Sequence, residues 1–528
     1  MLDLRLTNGT FHTMDRSRPR ARSLGVWRGR IVGVDEAIAG LPAAHEVDLA
    51  GATVLPAFID AHVHLAWTGL AARATSVAGQ RDAASVLAVI RRAAAHAPPD
   101  AWVDVADYDQ RPLGRDLTAA ELDEAGGGRK VLVAHRSGHA CVVSSAVLAL
   151  LPPGTEHRDG LLAESGMAAA RAARMPYSLA ELTDAIESAG RACLTEGITA
   201  AAEAGIGGGL IAHSAIELAA YQRARDAGRL PLRMRLMVAA DLLREVAAHP
   251  DDGLRHGIDL GLRTGLGDDR LAIGALKVFT DGGMMPRTAA LTKPYVGLDH
   301  GGALFADPAE LTATIVAGHL ADWQLAIHAI GDRAVDVALS ALAEAQRLRP
   351  RPGARHRVEH AGLVRPDQLP RLARSGATVV VQPAFLWSFG DDYAQLMGAD
   401  RADWLYRGRA FRTHGIPLAG SSDRPVAVGA PLRAIQFMGE RRSHSGRVIG
   451  PDEGLSVDEA LRAYTIDAAR ACHWEHALGS LTPGNHADLV VLSDDPHRVA
   501  PSRIGAIEVV TTFSAGVPVY GGAGLGLG

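Results

Sequence analysis

Leu55-Pro-Ala-Phe-Ile-Asp-Ala-His-Val-His64 is the stretch from which the rest of the chain is read. Its apolar run fits a buried strand, and in an extended segment residues i and i+2 project to the same side, so the imidazoles of His62 and His64 can grip one ion. Alone the pair is a weak signal in a chain with 22 histidines, because two surface or hydrogen-bonded side chains read the same way. Its weight depends on what closes the other apolar runs.

Seven more runs follow the first (58–63), at 197–202, 232–239, 272–279, 324–330, 356–360, 378–382 and 416–421. Ala-rich and Arg-rich helical stretches such as 83–97, 179–195 and 308–320 alternate with them, which is the pattern of a parallel sheet or barrel. Eight strands predict a (β/α)8 barrel, whose functional side chains project from the C-terminal strand ends. The fifth run ends at His328, the sixth at His360 and the eighth, after Ala419-Gly-Ser-Ser422, at Asp423. His328 and His360 are 32 residues apart, one βα unit, and His360 and Asp423 are 63 apart, two units. Neutral imidazoles with a carboxylate suit Zn²⁺, Mn²⁺ or Fe²⁺, and open coordination positions suit a catalytic ion. Lys277 closes the fourth run in an apolar setting, where a lone ammonium is costly. Carbamylation by CO2, giving a carboxylate that bridges two metals, is one explanation; a Lys reaching solvent or pairing with Asp281 is the other.

The gap between the first and second runs, roughly 130 residues, is too long for a βα loop and predicts an inserted subdomain at about 67–191, with an extra strand at 130–135. Residues 1–57 read as short strands and turns, as do 475–520, so the chain ends can complete one sheet around a barrel spanning 58–474. The Gly-rich tail, 521–528, reads as flexible.

Composition narrows the function classes. Hydrophobic residues make up 48% and charged residues 21%, ordinary for a globular chain, and a net charge of -5 offers no basic field for nucleic acid. Cys141, Cys193 and Cys472 are too few and scattered for a disulfide framework or a thiolate zinc site. No secretory signal or membrane-length apolar run is read, so a cytoplasmic protein is expected.

The motif at 55–64 is joined by Leu276-Lys-Val-Phe-Thr-Asp-Gly-Gly283, Ile327-His-Ala-Ile-Gly-Asp332, Val358-Glu-His360, Gly420-Ser-Ser-Asp423 and Gly479-Ser-Leu-Thr-Pro-Gly-Asn-His-Ala-Asp-Leu489. Together they resemble the amidohydrolase superfamily, and more narrowly amidohydrolase family 3, the group containing N-substituted formamide deformylases. The resemblance runs from about residue 3 to about residue 520 and is far more specific for the superfamily than for a substrate. It implies a metal-bearing TIM barrel, a small β-sandwich domain formed by both chain ends, and hydrolysis of amide or related C–N bonds by metal-activated water. Carried onto this chain, it makes His62, His64, Lys277, His328 and His360 metal ligands, and Asp423 a ligand and the acid-base residue. One or two divalent ions are implied, with zinc foremost.

Ala57 stands where the family usually has Gly, and Arg136-Ser-Gly-His139 and Val143-Ser-Ser145 depart from its Asp-Gly-His and Asn-Ser forms. These departures leave the substrate open. His139, Arg287 and Trp387, with Trp67 and Phe389, are candidate substrate contacts from their positions after strands or in the insertion. His473-Trp-Glu-His476 has the wrong spacing for a metalloprotease and reads as a solvated helix end; Gly205-Ile-Gly-Gly-Gly209 lacks the features of a phosphate loop and reads as a flexible loop. The expected partner is a small-molecule amide, without nucleic acid or membrane; homodimerisation is left open. A cyclic amidase, a deaminase and a non-catalytic regulatory member of the family are the alternatives.

Overall fold

The structure, a computed structural model, describes residues 1–522 except Pro99, Arg111, 136–139, Glu164 and Gly209. Eight strands form one parallel sheet: β1 (Phe58–Val63), β2 (Ile198–Ile206), β3 (Arg233–Ala239), β4 (Leu271–Phe279), β5 (Leu325–Ala329), β6 (Arg357–His360), β7 (Thr378–Val381) and β8 (Leu418–Gly420). Nearly all their residues are buried, as expected where a parallel sheet is covered on both faces. Register sets Phe279 opposite His328 and Ala329 opposite His360, which brings the polar strand ends level.

Beyond β8 the sheet returns to its first strand. Asp423 N donates to His62 O at 2.9 Å, and His64 N donates to Arg424 O at 3.0 Å. The result is a nearly closed barrel. A Cβ on Gly420 would stand 2.3 Å from the Tyr464 ring, whose hydroxyl donates to Ser421 O at 2.9 Å, so glycine is what lets the ring brace this seam. Small side chains, among them Ala61, Ala200, Ala202, Ala204, Ala275, Ala326 and Ala419, share one core cluster with Met237, Cys472 and Trp474.

Two expectations from the sequence change here. Gly205-Ile206 belongs to β2 rather than to a loop, with Gly205 at φ 147 and its missing Cβ making room for Ile211; Gly209 lies outside the described residues. The His473–His476 segment follows a helix end and is solvated only in part: His476 is exposed, whereas Trp474 is wholly buried and packs in the barrel cluster.

The chain ends supply two further sheets. One runs in the order Arg30–Val34, Leu24–Trp27, Leu2–Thr7, Ala43–Asp48; the other in the order Val517–Tyr520, Val509–Ser514, Leu489–Leu492, Thr53–Pro56, Thr10–His12, Arg20–Ala21. Phe11, Leu24, Val54, Leu489 and Phe513 are buried in the core they share. Both sheets fall in one compact unit with the barrel (Met1–Leu65, Gly190–Ala212, Tyr221–Gly528). A second unit comprises Ala66–Ala189 and His213–Ala220. It holds a five-stranded sheet in the order Leu161–Ala163, Ala140–Val143, Lys130–His135, Trp102–Tyr108, Thr75–Ser76, with the helices Ala83–His96 and Ala119–Gly126 contributing to its core. Among the described residues no helix is long and apolar enough to cross a membrane.

A pair of buried histidines ties the helix Pro308–Leu320 to the start of β6. Leu325 N donates to His356 Nδ1 at 3.0 Å, His356 Nε2 donates to His319 Nδ1 at 2.8 Å, and His319 Nε2 donates to Arg349 O at 2.7 Å. Every ring nitrogen is used and neither ring has a place for another proton. Burial lowers both from the usual value, His356 to about 3. An unfolded histidine takes its proton near pH 6.5, so between about pH 6.5 and 3 the unfolded chain binds more protons and stability falls as pH drops. The loss expected from His356 alone is about 1.4 kcal/mol per pH unit below 6.5. Urea denaturation from pH 7.5 to 5 checks this: His356→Asn should flatten the pH dependence, and unchanged slopes would remove His356 from the account.

Candidate metal centre

Six polar side chains converge at the C-terminal ends of the barrel strands, and all are buried: His62, His64, Lys277, His328, His360 and Asp423. Asp423 Oδ1 lies 3.3 Å from His62 Nε2 and 3.0 Å from His64 Nε2. Ligand atoms of these three residues all fall within 4.8 Å of one another. The His360 ring is 5.0 Å from that of His62 and 4.5 Å from that of His328, centroid to centroid. Lys277 Nζ stands 4.8 Å over the Phe279 ring, which in turn lies 5.0 Å from His328. The structure does not pair Lys277 with Asp281. That carboxylate instead accepts from the backbone N–H groups of Ala290, Ile330 and Gly331 at 2.8 to 3.0 Å, and burial lifts its pKa to about 7.

The ring nitrogens are sorted by the partners behind them. His62 Nδ1 donates to Glu359 Oε2 at 2.6 Å, which leaves the Nε2 lone pair directed at Asp423. His360 Nδ1 donates to Gln382 Oε1 at 2.8 Å, and the Gln382 amide is itself fixed by donating to Val380 O and Ser421 Oγ. His328 reverses the pattern: Nε2 donates to Gly282 O at 3.2 Å, leaving Nδ1 as the free donor atom. Glu203, buried on β2, accepts from Leu65 N at 2.8 Å and lies 3.8 Å from His64 Nδ1.

Electrostatics disfavour protonation of His64, His328 and His360. Burial lowers the pKa of His64, takes His328 well below its usual value and takes His360 to about 3. Burial also lowers Lys277 to about 8. Asp423 is pulled the other way: burial opposes its ionisation, but His62 and His64 beside it hold the carboxyl well below its usual range. His62 Nε2 and Asp423 Oδ1 are buried and have no hydrogen-bond partner among the described residues. Two unsatisfied lone-pair atoms facing each other in a dry site fit a cation between them. The donor set, imidazole nitrogen with carboxylate oxygen, is that of a divalent transition ion. His360 and Asp423 hold left-handed backbone, at φ 70 and 55, a cost that non-glycine residues concentrate at functional sites.

The profile of the amidohydrolase family matches residues 45–520. The chain belongs to the amidohydrolase family. It is 28% identical to the N-substituted formamide deformylase of Arthrobacter pascens over 98% of each chain. It is also 28% identical to the protein LONG AFTER FAR-RED 3 of Arabidopsis thaliana, over 98% of this chain and 91% of that one. The crystal structure of an uncharacterized metal-dependent hydrolase from Pyrococcus horikoshii OT3 superposes with a TM-score of 0.79 at 26% identity, covering 94% of this chain and 99% of the other.

In this amidohydrolase the candidate substrate contacts scatter. Arg287 is exposed on the loop after β4. Trp387 stacks on Phe437 at 5.5 Å and under Arg433 at 5.0 Å. Phe389 packs on Phe385, whose ring stacks on His360 at 6.3 Å. Trp67 belongs to the second unit, and His139 lies outside the described residues. Glu203, Glu359 and Gln382 carry no role in the sequence reading, although each is a polar residue within or closing a buried strand, the signal that singles out Lys277.

Glu359 is the partner with most to lose. Arg357 clamps it through Nε and Nη2, both at 2.8 Å, and the same guanidinium donates to Ala61 O at 2.6 Å, so ligand strand and orienting carboxylate are cross-braced. Glu359→Gln should weaken metal retention about 10- to 100-fold, the usual effect of losing such a partner. Competition with a chelator measures it, and the Arg357→Met/Glu359→Gln double variant, free of an unpaired buried charge, controls for folding. Undiminished retention in both variants would mean that Glu359 does not orient His62.

Proposed function

We propose that this chain hydrolyses an amide-type C–N bond of a small molecule, with an N-substituted formamide as the first substrate to try. His62, His64, His328, His360, Asp423 and Lys277, the last as its carbamate, would hold one or two divalent ions, zinc foremost. A bound ion supplies Lewis acidity that activates water and polarises the substrate carbonyl. The observation that carries the reading is the buried Asp423 Oδ1 between two imidazole nitrogens, 3.3 Å from His62 Nε2 and 3.0 Å from His64 Nε2.

Asp423 takes the proton of the attacking water and delivers it to the departing nitrogen, which leaves poorly as an anion. Lys277 fits the carbamate because its amine is buried among imidazoles: the ammonium gives up one proton, the amine Nζ adds to CO2 and gives up a second, and a cation that would repel a metal becomes an anion that attracts it. On the same reading the two terminal sheets are the family's small β-sandwich, residues 66–189 are its inserted subdomain, and the protein works in the cytoplasm on a small molecule without nucleic acid or membrane.

The test is turnover of metal-replete protein on a panel of N-substituted formamides and simple amides, with amine and carboxylic acid measured. Release of ammonia would move the reading to a deaminase, and no turnover of any C–N substrate would overturn it. Asp423→Asn should keep most of the metal and lose about 10² to 10⁴ in kcat, the range for a missing general acid-base group. Near-normal turnover in that variant would assign the proton to another group. Lys277→Ala should lose metal and activity together, with partial rescue by short carboxylic acids; full metal content in the variant would exclude the bridge.

A further inference from the structure

A second set of donors meets far from the barrel site, where the two ends of the chain pair. His12 closes the strand Thr10–His12, while Asp495 and His497 lie just after the strand Leu489–Leu492. The Asp495 carboxylate sits between the two imidazoles, with Oδ2 3.1 Å from His12 Nε2 and Oδ1 3.2 Å from His497 Nδ1. His497 N donates to the same Oδ1 at 2.9 Å, which fixes the turn. The two rings are nearly parallel, 16° apart, with centroids 4.5 Å from each other. One ligand atom from each residue lies within 4.8 Å of the others.

We propose that His12, Asp495 and His497 form a second metal site, for one divalent transition ion of the zinc type, that clasps the amino-terminal and carboxyl-terminal strands together. The spacing fits: bonds of about 2.0 to 2.1 Å set tetrahedral ligands about 3.3 Å apart. Two imidazoles and one carboxylate select a borderline ion over magnesium or calcium, which take mostly oxygen. A cavity of about 540 Å³, lined in part by Arg20, Arg412 and Asp458, opens onto His12 and His497 and gives an ion and its remaining waters access. Asp458 Oδ1, on an exposed side chain, is already 3.8 Å from His497 Nε2 and within reach as a fourth ligand.

Arg20 is the group that opposes the ion. Its Nη1 lies 3.3 Å from His12 Nε2, on the atom that would ligate, and its side chain is exposed enough to swing into the cavity. The guanidinium and the ion therefore compete for one imidazole and one carboxylate. A hydrogen-bonded clasp without metal would not show that competition.

The test titrates the full-length protein, its barrel ions in place, with zinc by calorimetry and follows Tm; catalytic activity plays no part in the readout, so the outcome does not depend on the proposed hydrolysis. One additional ion per chain and a rise in Tm are expected. His497 is exposed and replaceable without disturbing the core, and His497→Ala should weaken the additional event at least tenfold and remove the Tm rise. Arg20→Gln, by removing a positive charge a few ångströms from the ion, should tighten it about tenfold. Equal stoichiometry and affinity in the wild type and His497→Ala, or no additional event in either the wild type or Arg20→Gln, would overturn the site.

Discussion

The Asp60 carboxylate, buried within the first barrel strand, accepts from Ser422 N at 3.0 Å, from Ser422 Oγ at 2.5 Å and from His62 N at 3.3 Å. Those bonds fasten the eighth strand to the first. Because His62 and Asp423 follow immediately on either side of the seam, the geometry of the metal centre is set by the closure of the barrel. Arg424, which donates to Glu196 at 2.5 Å, extends the seam toward the second strand and leaves Asp60 less alone in its burial. Without a partner a carboxylate in that position would be protonated or would draw water into the barrel.

From that seam outward, three histidines of the site are each held by a different kind of group: a clamped carboxylate behind His62, an amide behind His360, a backbone carbonyl behind His328. The choice has a chemical consequence. An anionic partner makes an imidazole a stronger electron donor than an amide or carbonyl does, so the three rings differ in donor strength although they are identical residues.

Much of this was legible in the chain. The barrel strands fall where apolar runs are closed by polar residues, and Lys277, His328, His360 and Asp423 each end such a run. The orienting shell was hidden for a physical reason. Alternation along a strand sets Glu359 and His360 on opposite sides, yet both serve one centre, because the backbone turns left-handed at His360 and ends the alternation there. Glu203 sits inside the run Ala200-Ala-Ala-Glu-Ala204, a lone carboxylate as conspicuous as Lys277. What no pattern reveals is that its partners are the hydroxyl of Tyr221 and the backbone of Leu65, since that depends on the packing of segments distant in sequence.

The six-stranded sheet has a bearing on how the protein is made. Thr53–Pro56 pairs with Leu489–Leu492, and Ala57 N donates to Asp488 O at 3.0 Å, so the strand that carries His62 and His64 is anchored from the other end of the chain. During synthesis, Thr53–Pro56, the strand that leads into His62 and His64, must wait for Leu489–Leu492 before it has a neighbour on that side. Contacts of such long sequence separation form late and slowly. In the interval a hydrophobic strand edge stands open, the kind of surface through which incompletely folded chains aggregate.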